Sequence, residues 1–376
     1  MIIDNNIREL VSKIEKSSIK NMNFYIKELI QRLEKNCKLP KVKMRYEYYR
    51  KFNSGKIKKY PIENDGYGKS FDPLLDEQYF FDCWSKYGIV IGKSVVSIPF
   101  CNNAKGKINA MVKNLSNGKC DLSKYETYSK IPIDHQGIPI LSRGFFEIYH
   151  DNLLAQIRQS IRVYLHYVLI WGRTDLWTSF DRLGVKLSSH KESYSLPLHI
   201  DQNPKIHTNF KTVQGVLALD DCPIERGTFV AVPGSRKYFL DYIRMAPEKG
   251  EYVELDTSDR IAAKLKKKKQ ALPLRKGDLV TWDSRTTHSN TGNISRKTRF
   301  VAYVAMGPAK ENNRFAIKAR KEAFKTGLGS NVREALMHAS KKPRYTNQKA
   351  ILKIRKKEKL TLLGELIYGQ KKYKKI

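Results

Sequence analysis

The chain has 376 residues, of which 71 are lysine or arginine and 37 are aspartate or glutamate, so its formal net charge is +34. An apolar content of 41% excludes a disordered chain, and the length allows one large domain with additions. A surface this positive favours polyanionic partners such as nucleic acid, an anionic membrane or a phosphate-bearing metabolite.

Cysteine usage and hydropathy indicate the compartment. The five cysteines show neither CxxC pairing nor zinc-ligand spacing, which suits a reducing environment. Charged and polar residues interrupt residues 2–30, so no signal peptide is expected, and the longest apolar run, residues 164–171, is too short to cross a bilayer. We therefore expect an intracellular, cytoplasmic protein, and its basic runs are compatible with a nuclear location.

The first predicted elements are helical. Apolar residues at helical spacing indicate one or two amphipathic helices within residues 1–36. A polar, basic and aromatic stretch at 37–71 predicts an extended segment, and residues 151–180 begin with a second helical pattern. Near the end of the chain, a further helix is predicted at 331–340.

Two short segments about ninety residues apart carry the residue types of a metal site. His199 and Asp201 alternate with Ile200 in a predicted strand, so both side chains point to one face and can reach one metal ion. His288 follows a turn and a predicted half-buried strand at 276–283. Two imidazoles and one carboxylate are the ligand set of the facial triad that binds non-haem Fe(II).

An arginine follows the second histidine by eleven residues. Arg299 would lie in a predicted strand at 298–305, and no acidic residue is near it in sequence. A buried guanidinium needs a partner, and a carboxylate ligand would provide one through two hydrogen bonds. An HxD tripeptide alone is weak evidence, because it also arises in ordinary strands and turns. The distal histidine and the strand-borne arginine favour a metal site.

These motifs and the blocks around them resemble the phytanoyl-CoA dioxygenase family of Fe(II)/2-oxoglutarate oxygenases. The matching blocks are Gly227 to Pro233-Gly234-Ser235, the Gly277-Asp278 turn, and His288 through Asn293 to Arg299. Upstream, Leu75 to Phe81 and then Tyr87-Gly88-Ile89 resemble the family's opening helix and first strand, with Gly88 at the turn. The resemblance covers roughly residues 72–308.

The resemblance implies a mainly β fold with flanking helices, built on a double-stranded β-helix or jelly-roll core. The dioxygenase domain would occupy 72–308, between a helical and extended addition at 1–71 and a basic, partly helical tail at 309–376.

The resemblance also implies the site. His199, Asp201 and His288 would bind Fe(II), and Arg299 would hold the distal carboxylate of the co-substrate 2-oxoglutarate, with Asn290 near it. Halogenating relatives have a small residue where this chain has Asp201. The implied reaction is therefore hydroxylation with O₂, or hydroxylation followed by loss of a group.

Other residues keep two interpretations each. Lys186, Ser188 and Tyr194 would line the pocket by resemblance, or belong to an ordinary strand and loop. Gln214 could reach substrate or 2-oxoglutarate, or be a satisfied interior amide. His207 could lie beside the metal ligands or in an exposed loop, and we favour the loop.

Basic residues concentrate in two places. The tail at 309–376 contains runs at 353–357 and 371–375, and a second cluster, Lys264 to Lys269, precedes the distal histidine. Nucleic acid or another polyanion is a predicted partner through both clusters. The alternative is a compositional bias toward lysine that has no partner behind it.

Two classes of protein remain compatible with the sequence. The first is a catalytic Fe(II)/2-oxoglutarate hydroxylase with an unidentified substrate, either phosphate-bearing or nucleic acid. The second is a catalytically inactive jelly-roll protein that binds nucleic acid or another polyanion through its basic surface. The set of three metal ligands and Arg299 favours the enzyme, because a binding module does not require all four together.

Overall fold

A computed structural model describes residues 1–43, 57–133, 141, 144–188, 195–256, 258–329 and 354–375. The described helices are α1 (Asn5–Lys16), α2 (Ile19–Cys37), α3 (Glu77–Tyr87), α4 (Ile98–Leu115), α5 (Asn152–Arg158), α6 (Ile161–Trp171), α7 (Arg260–Lys266), α8 (Arg314–Thr326) and α9 (Leu362–Ile367). Short 3₁₀ helices occupy Tyr125–Lys130, Ser235–Arg244 and Tyr373–Lys375. None of the helices in the described ranges is both long and apolar enough to cross a membrane.

The strands follow the same order along the chain. They are β1 (Ile89–Gly92), β2 (Phe145–Phe146), β3 (Leu176–Thr178), β4 (Leu183–Lys186), β5 (His199–Ile200), β6 (Val213–Ala218), β7 (Phe229–Ala231), β8 (Val253–Glu254), β9 (Gln270–Leu272), β10 (Leu279–Asp283), β11 (His288–Asn290), β12 (Arg299–Tyr303) and β13 (Met306–Pro308). Most of them are shorter than six residues, as is usual for an all-antiparallel core with many turns.

Two antiparallel sheets form the core. One has the order β1-β10-β6-β12-β4-β2 and the other the order β8-β5-β11-β7-β9, while β13 and β3 pair separately. Strands that are neighbours in sequence often lie in different sheets, as β10 and β11 do, so the chain crosses repeatedly between the two layers. This is the predicted jelly roll with flanking helices, and the fold class is confirmed.

The N-terminal helices form as the apolar spacing predicted. In α1 the buried side chains are Ile7, Val11 and Ile14, four and three residues apart, so one face packs on the protein. The Asp4 carboxylate caps the helix by accepting a 2.9 Å hydrogen bond from the Ile7 amide. The helix α3 ends at Tyr87 because Gly88 takes the left-handed conformation (φ 68°), and β1 begins at the next residue.

Two predictions about strands were wrong in detail. The strand β10 is buried on both faces, because α6 covers its outer side, where His166 lies 2.8 Å from the Thr281 hydroxyl. The strand β5 ends at Ile200, so Asp201 lies in the bend that follows it and not within the strand.

One hydrophobic cluster joins the two ends of the chain to the barrel. It includes Ile7 of α1, Leu217 of β6 and Leu366 of α9, each fully buried. The apolar residues of α9, within the basic tail, are therefore part of the core. The helix predicted at 331–340 lies outside the described residues.

Candidate metal centre and anion site

The two predicted histidine ligands face each other across a pair of strands. His199 of β5 is directly opposite His288 of β11, and their ring centroids are 4.3 Å apart. Asp201 follows β5 immediately, and one ligand atom from each of the three side chains lies within 4.8 Å of the other two. The structure thus brings His288 next to His199 and Asp201, which lie about ninety residues earlier in the chain, and the three could hold a metal ion.

Backbone carbonyls orient both imidazoles. The Nδ1 atom of His199 lies 2.8 Å from the Pro197 carbonyl oxygen, and that of His288 lies 3.0 Å from the Thr286 carbonyl oxygen. A carbonyl only accepts, so each Nδ1 carries a proton. Each Nε2 is then directed at Asp201, with distances to the Oδ2 atom of 3.8 Å from His199 and 3.3 Å from His288. Such outer hydrogen bonds commonly fix metal-binding histidines.

The protonation states suit a divalent cation. Burial, and to a smaller extent the neighbouring His288, lower the pKa of His199 to about 4, so this imidazole is neutral near pH 7. Burial alone would raise the pKa of Asp201. The proximity of His288 and His199, together with the hydrogen bond from Gln214, outweighs burial and holds that pKa below its ordinary value. A carboxylate and imidazole nitrogens that converge in this way match the donor set of non-haem iron.

Gln214 supports the carboxylate ligand. Its Nε2 atom donates a 2.8 Å hydrogen bond to the Asp201 Oδ2 atom. Its Oε1 atom is buried and accepts no hydrogen bond from the described residues. Neither sequence interpretation of Gln214 named this contact, which depends on β6 lying opposite the bend after β5.

Aromatic rings surround the two histidines. Trp282 lies 4.9 Å from the His288 ring and 4.6 Å from Phe229, measured between centroids, and both aromatic residues are buried. Tyr252 lies 4.9 Å from the His199 ring and is 40% exposed, so it marks the side of the centre that faces solvent. Sequence reasoning missed Tyr252, since it lies in a loop without a motif.

A pair of cations lies near the triad. Arg299 of β12 is directly opposite Lys186 of β4, and Arg299 is buried at 6% exposure. The Nε atom of Arg299 has no hydrogen-bond acceptor among the described residues, and no described carboxylate forms an ion pair with it. The Cys222 thiol, a weak acceptor, is its hydrogen-bonding neighbour.

Lys186 connects this pair to the metal centre. Its ammonium donates to the Asn290 Oδ1 atom at 3.0 Å and to the Thr291 carbonyl at 2.9 Å. Asn290 lies two residues after His288 on β11, and side chains two apart share one face of a strand. Burial, together with the positive charge of Arg299, lowers the pKa of Lys186 to about 7. The sequence had offered Lys186 only as one of several pocket residues.

A glycine makes room for both cations. Gly227 has φ +83°, and a Cβ atom there would lie 3.4 Å from the Cδ atoms of both Arg299 and Lys186. Gly227 belongs to the block on which the family resemblance depends, but its contact with Arg299 follows only from the fold.

The remaining predicted residues lie elsewhere or outside the described ranges. His207 is in a loop, with its Nε2 atom 3.2 Å from the Glu251 carboxylate, as its loop interpretation predicted. The Ser188 hydroxyl is buried without a described partner, and Tyr194 lies outside the described residues. Lys264 lies on α7, over the Tyr238 ring at 5.7 Å, and Lys266 to Lys269 are exposed beside it.

Comparison with known proteins identifies the class. Residues 167–301 match the family model described as phytanoyl-CoA dioxygenase. That range contains His199, Asp201, His288 and Arg299. The predicted resemblance to this family is therefore confirmed over residues 167–301. The match to this family, and the three residues within it that could hold a metal ion, agree with the predicted class, a dioxygenase that uses Fe(II), 2-oxoglutarate and O₂.

Individual relatives are distant. Ava biosynthesis cluster protein O of Aspergillus versicolor is 24% identical over 202 residues, which cover 50% of this chain and 65% of that protein. The protein named "Putative phytanoyl-CoA dioxygenase" in Dictyostelium discoideum is 22% identical over 327 residues, covering 71% of this chain and 91% of that protein. The chain thus spans just under two thirds of the first relative and nearly all of the second.

Solved structures overlay in part. The epimerase SnoN, in complex with Fe³⁺, alpha ketoglutarate and nogalamycin RO, has a TM-score of 0.41 at 18% identity, covering 62% of this chain and 84% of its own. EctD from S. alaskensis with bound Fe has a TM-score of 0.43 at 16% identity, covering 69% of this chain and 82% of its own.

Proposed function

We propose that this protein is an Fe(II)/2-oxoglutarate-dependent hydroxylase whose iron is bound by His199, Asp201 and His288. The observation that carries the proposal is the convergence of their ligand atoms within 4.8 Å, with both imidazoles held by carbonyls through Nδ1. Three ligands on one side of an iron ion leave its other side open for co-substrate, O₂ and substrate.

Arg299 is the proposed partner of the distal carboxylate of 2-oxoglutarate. It is a buried cation without an internal ion pair among the described residues, and a bound carboxylate would neutralise it through charge-assisted hydrogen bonds. Lys186 adds a second positive charge opposite it, and Asn290 positions the Lys186 ammonium. The sequence prediction gave Asn290 a place near the co-substrate, and here we propose that it acts through Lys186.

The bound iron and co-substrate would supply O₂ activation, coupled to decarboxylation of 2-oxoglutarate to succinate, for hydroxylation of a substrate C–H bond. The protein holds the ligands and shields the centre. Trp282 and Phe229 keep water from the His288 side, and Gln214 fixes the rotation of the Asp201 carboxylate by its 2.8 Å hydrogen bond. Preorganised ligands of this kind reduce the reorganisation needed when a metal binds.

The net charge of the protein indicates the chemical class of its substrate. We propose a phosphate-bearing or nucleic-acid substrate, on the strength of the +34 net charge. All five cysteines are buried, unpaired thiols, which supports an intracellular location for the protein.

The test is an anaerobic titration of the Fe(II)-loaded protein with 2-oxoglutarate, followed by visible charge-transfer absorption, then admission of O₂ and an assay of succinate. We expect a saturable band and slow succinate formation in the absence of substrate. The variants His199→Ala and Asp201→Ala should take up no iron at micromolar metal.

His207→Ala is the matched control, because His207 is a histidine outside the centre with its own carboxylate neighbour. It should load iron as the wild type does. Full iron uptake by His199→Ala would refute the ligand assignment. A wild type that takes up no iron would favour the inactive binding protein.

A further inference from the structure

The helix α8 presents a row of cations to solvent. Arg314, Lys318, Lys321 and Lys325 are separated by four, three and four residues, so they lie along one face of the helix, and all four are exposed. The opposite face is held in the protein by Ala316, Ala323 and the fully buried Arg320. The row spans about 16 Å, over which one strand of a duplex presents about five phosphates.

The row continues onto the last described segment of the chain. Lys325 lines a cavity of about 500 Å³ together with Lys356 and Lys357, and it also lines a neighbouring cavity of about 460 Å³ with Lys318, Lys321 and Lys372. We name these six lysines the C-terminal basic surface. They come from three separate stretches of chain and meet only in the fold.

Little negative charge offsets this surface. None of its six lysines forms an ion pair with a carboxylate of the described residues. Glu322 is the one acidic residue of α8. Glu358 borders the larger cavity, but its side chain is 5% exposed and is bonded to His150 and Tyr368 at 3.1 and 2.9 Å. The positive potential is therefore free to act on an external anion.

The surface and the metal centre share no residue. The strand β12 starts at Arg299 and ends at Tyr303, and the chain reaches α8 by way of β13, beyond the end of β12 that lies away from Arg299. A ligand on this surface would therefore not occupy the anion site beside the triad.

We propose that the C-terminal basic surface docks the sugar-phosphate backbone of nucleic acid, independently of the oxygenase activity. Exposed cations spread over a ridge and two shallow cavities fit a repeating polyanion, whereas a single small phosphate calls for buried, converging donors. A membrane-surface helix buries an apolar face in lipid, but the small apolar residues of α8 face the protein. Phe315, 82% exposed, is the one large apolar side chain that α8 leaves in solvent.

The experiment measures binding of fluorescein-labelled 20-base single strands and 20-base-pair duplexes to the full-length protein by anisotropy over a range of salt. The test variant is Lys318→Glu/Lys321→Glu/Lys325→Glu. Truncation of the tail is unsuitable, because Leu363, Leu366 and Tyr368 are fully buried in the core. We expect binding of at least one probe, a loss of tenfold or more in the variant, and a salt slope smaller by about three.

The matched control is Lys119→Glu/Lys124→Glu/Lys130→Glu, which removes the same charge from three exposed lysines outside both predicted basic clusters. It should change affinity less than threefold. Equal losses in both variants would mean that net charge alone drives binding and would overturn the assignment. So would wild-type protein that binds neither probe, or that prefers vesicles containing anionic lipid to both.

Lys356→Glu/Lys357→Glu gives a second route to the same surface if the α8 variant fails to fold. It should weaken binding at least fivefold. Unchanged affinity in this variant would overturn the assignment of the larger cavity to the binding surface. Iron loading should remain that of the wild type in every variant, so failure of this proposal is distinguishable from failure of the proposed oxygenase.

Discussion

Two buried arginines of this molecule, Arg320 and Arg299, differ in the atoms that surround them. Arg320 is fully buried, donates to the carbonyls of Thr178, Ile367 and Tyr368, and lies over the Phe180 ring at 4.3 Å. Arg299 is almost as buried but has the Cys222 thiol beside it where Arg320 has carbonyl oxygens.

The number of hydrogen-bond acceptors around a buried cation distinguishes one that stabilises the fold from one that could bind an anion. Burial of a charge costs several kcal/mol unless hydrogen bonds offset it. Around Arg320 the chain supplies the acceptors, and they tie α8 to β3 and to the end of α9. Around Arg299 the described residues supply only the weakly accepting Cys222 thiol and leave the Nε atom without an acceptor, so a bound anion would complement the charge.

Substitution of each arginine by methionine, which keeps length and removes charge, tests the comparison most directly. Arg299→Met should lower the affinity for 2-oxoglutarate about 100-fold, because the co-substrate carboxylate loses its charged partner. Its thermal stability should be unchanged or higher, since an unpaired buried charge is removed. Anaerobic titration and thermal unfolding measure the two effects.

Arg320→Met should behave in the opposite way. Three carbonyls lose their donor, so we expect the free energy of unfolding to fall by about 3 kcal/mol. The 2-oxoglutarate affinity of the folded protein should stay within twofold of the wild type. Comparable destabilisation by both substitutions would show that Arg299 is structural as well.

The cation pair also predicts a pH dependence. Because the pKa of Lys186 is about 7 in the ligand-free protein, the ammonium is mostly protonated below pH 7 and mostly neutral above it. Anion binding favours the protonated form, so the affinity for 2-oxoglutarate should fall as pH rises above 7, by at most tenfold per unit.

The Lys186→Met variant should bind 2-oxoglutarate several-fold more weakly than the wild type at pH 6.5, because only Arg299 still binds the carboxylate. Its affinity should no longer fall as the pH rises above 7. Titrations at pH 6.5, 7.5 and 8.5 suffice to measure it. An unchanged slope in Lys186→Met would assign the titration to another group.

Sequence reasoning named the three residues that the structure brings together, because two of them obey a local spacing rule. The HxD spacing and the alternation of a strand place His199 and Asp201 near one point even though β5 ends before Asp201. His288 and Arg299 were also named from their residue types and spacing, and each lies at the start of a short strand. The helices at the N-terminus were equally accessible, since their apolar periodicity determines the buried face.

The supporting residues could not be found in this way. Lys186 meets Arg299 because β4 pairs with β12, 113 positions later in the chain, and Tyr252 reaches His199 from an unpatterned loop. The strand β10 is buried on both faces because α6 packs against it, and nothing in the sequence of β10 indicates that contact. Contacts of this kind belong to the tertiary fold, and a single sequence carries no local signal for them.

The smallest expected effect on 2-oxoglutarate binding concerns Gly227. Because it has no side chain, it leaves room for the aliphatic parts of the Arg299 and Lys186 side chains. Gly227→Ala adds a Cβ atom 3.4 Å from both of these side chains at a φ of +83°, so it should cost about 1 kcal/mol of stability and lower 2-oxoglutarate affinity two- to fivefold. Gly66→Ala is the control, because Gly66 has φ +84° and nothing within 4 Å of its added Cβ atom. It should show the same loss of stability with unchanged affinity. Equal affinities in the two variants would mean that the cations tolerate displacement, and the anion site would then depend on charge more than on fit.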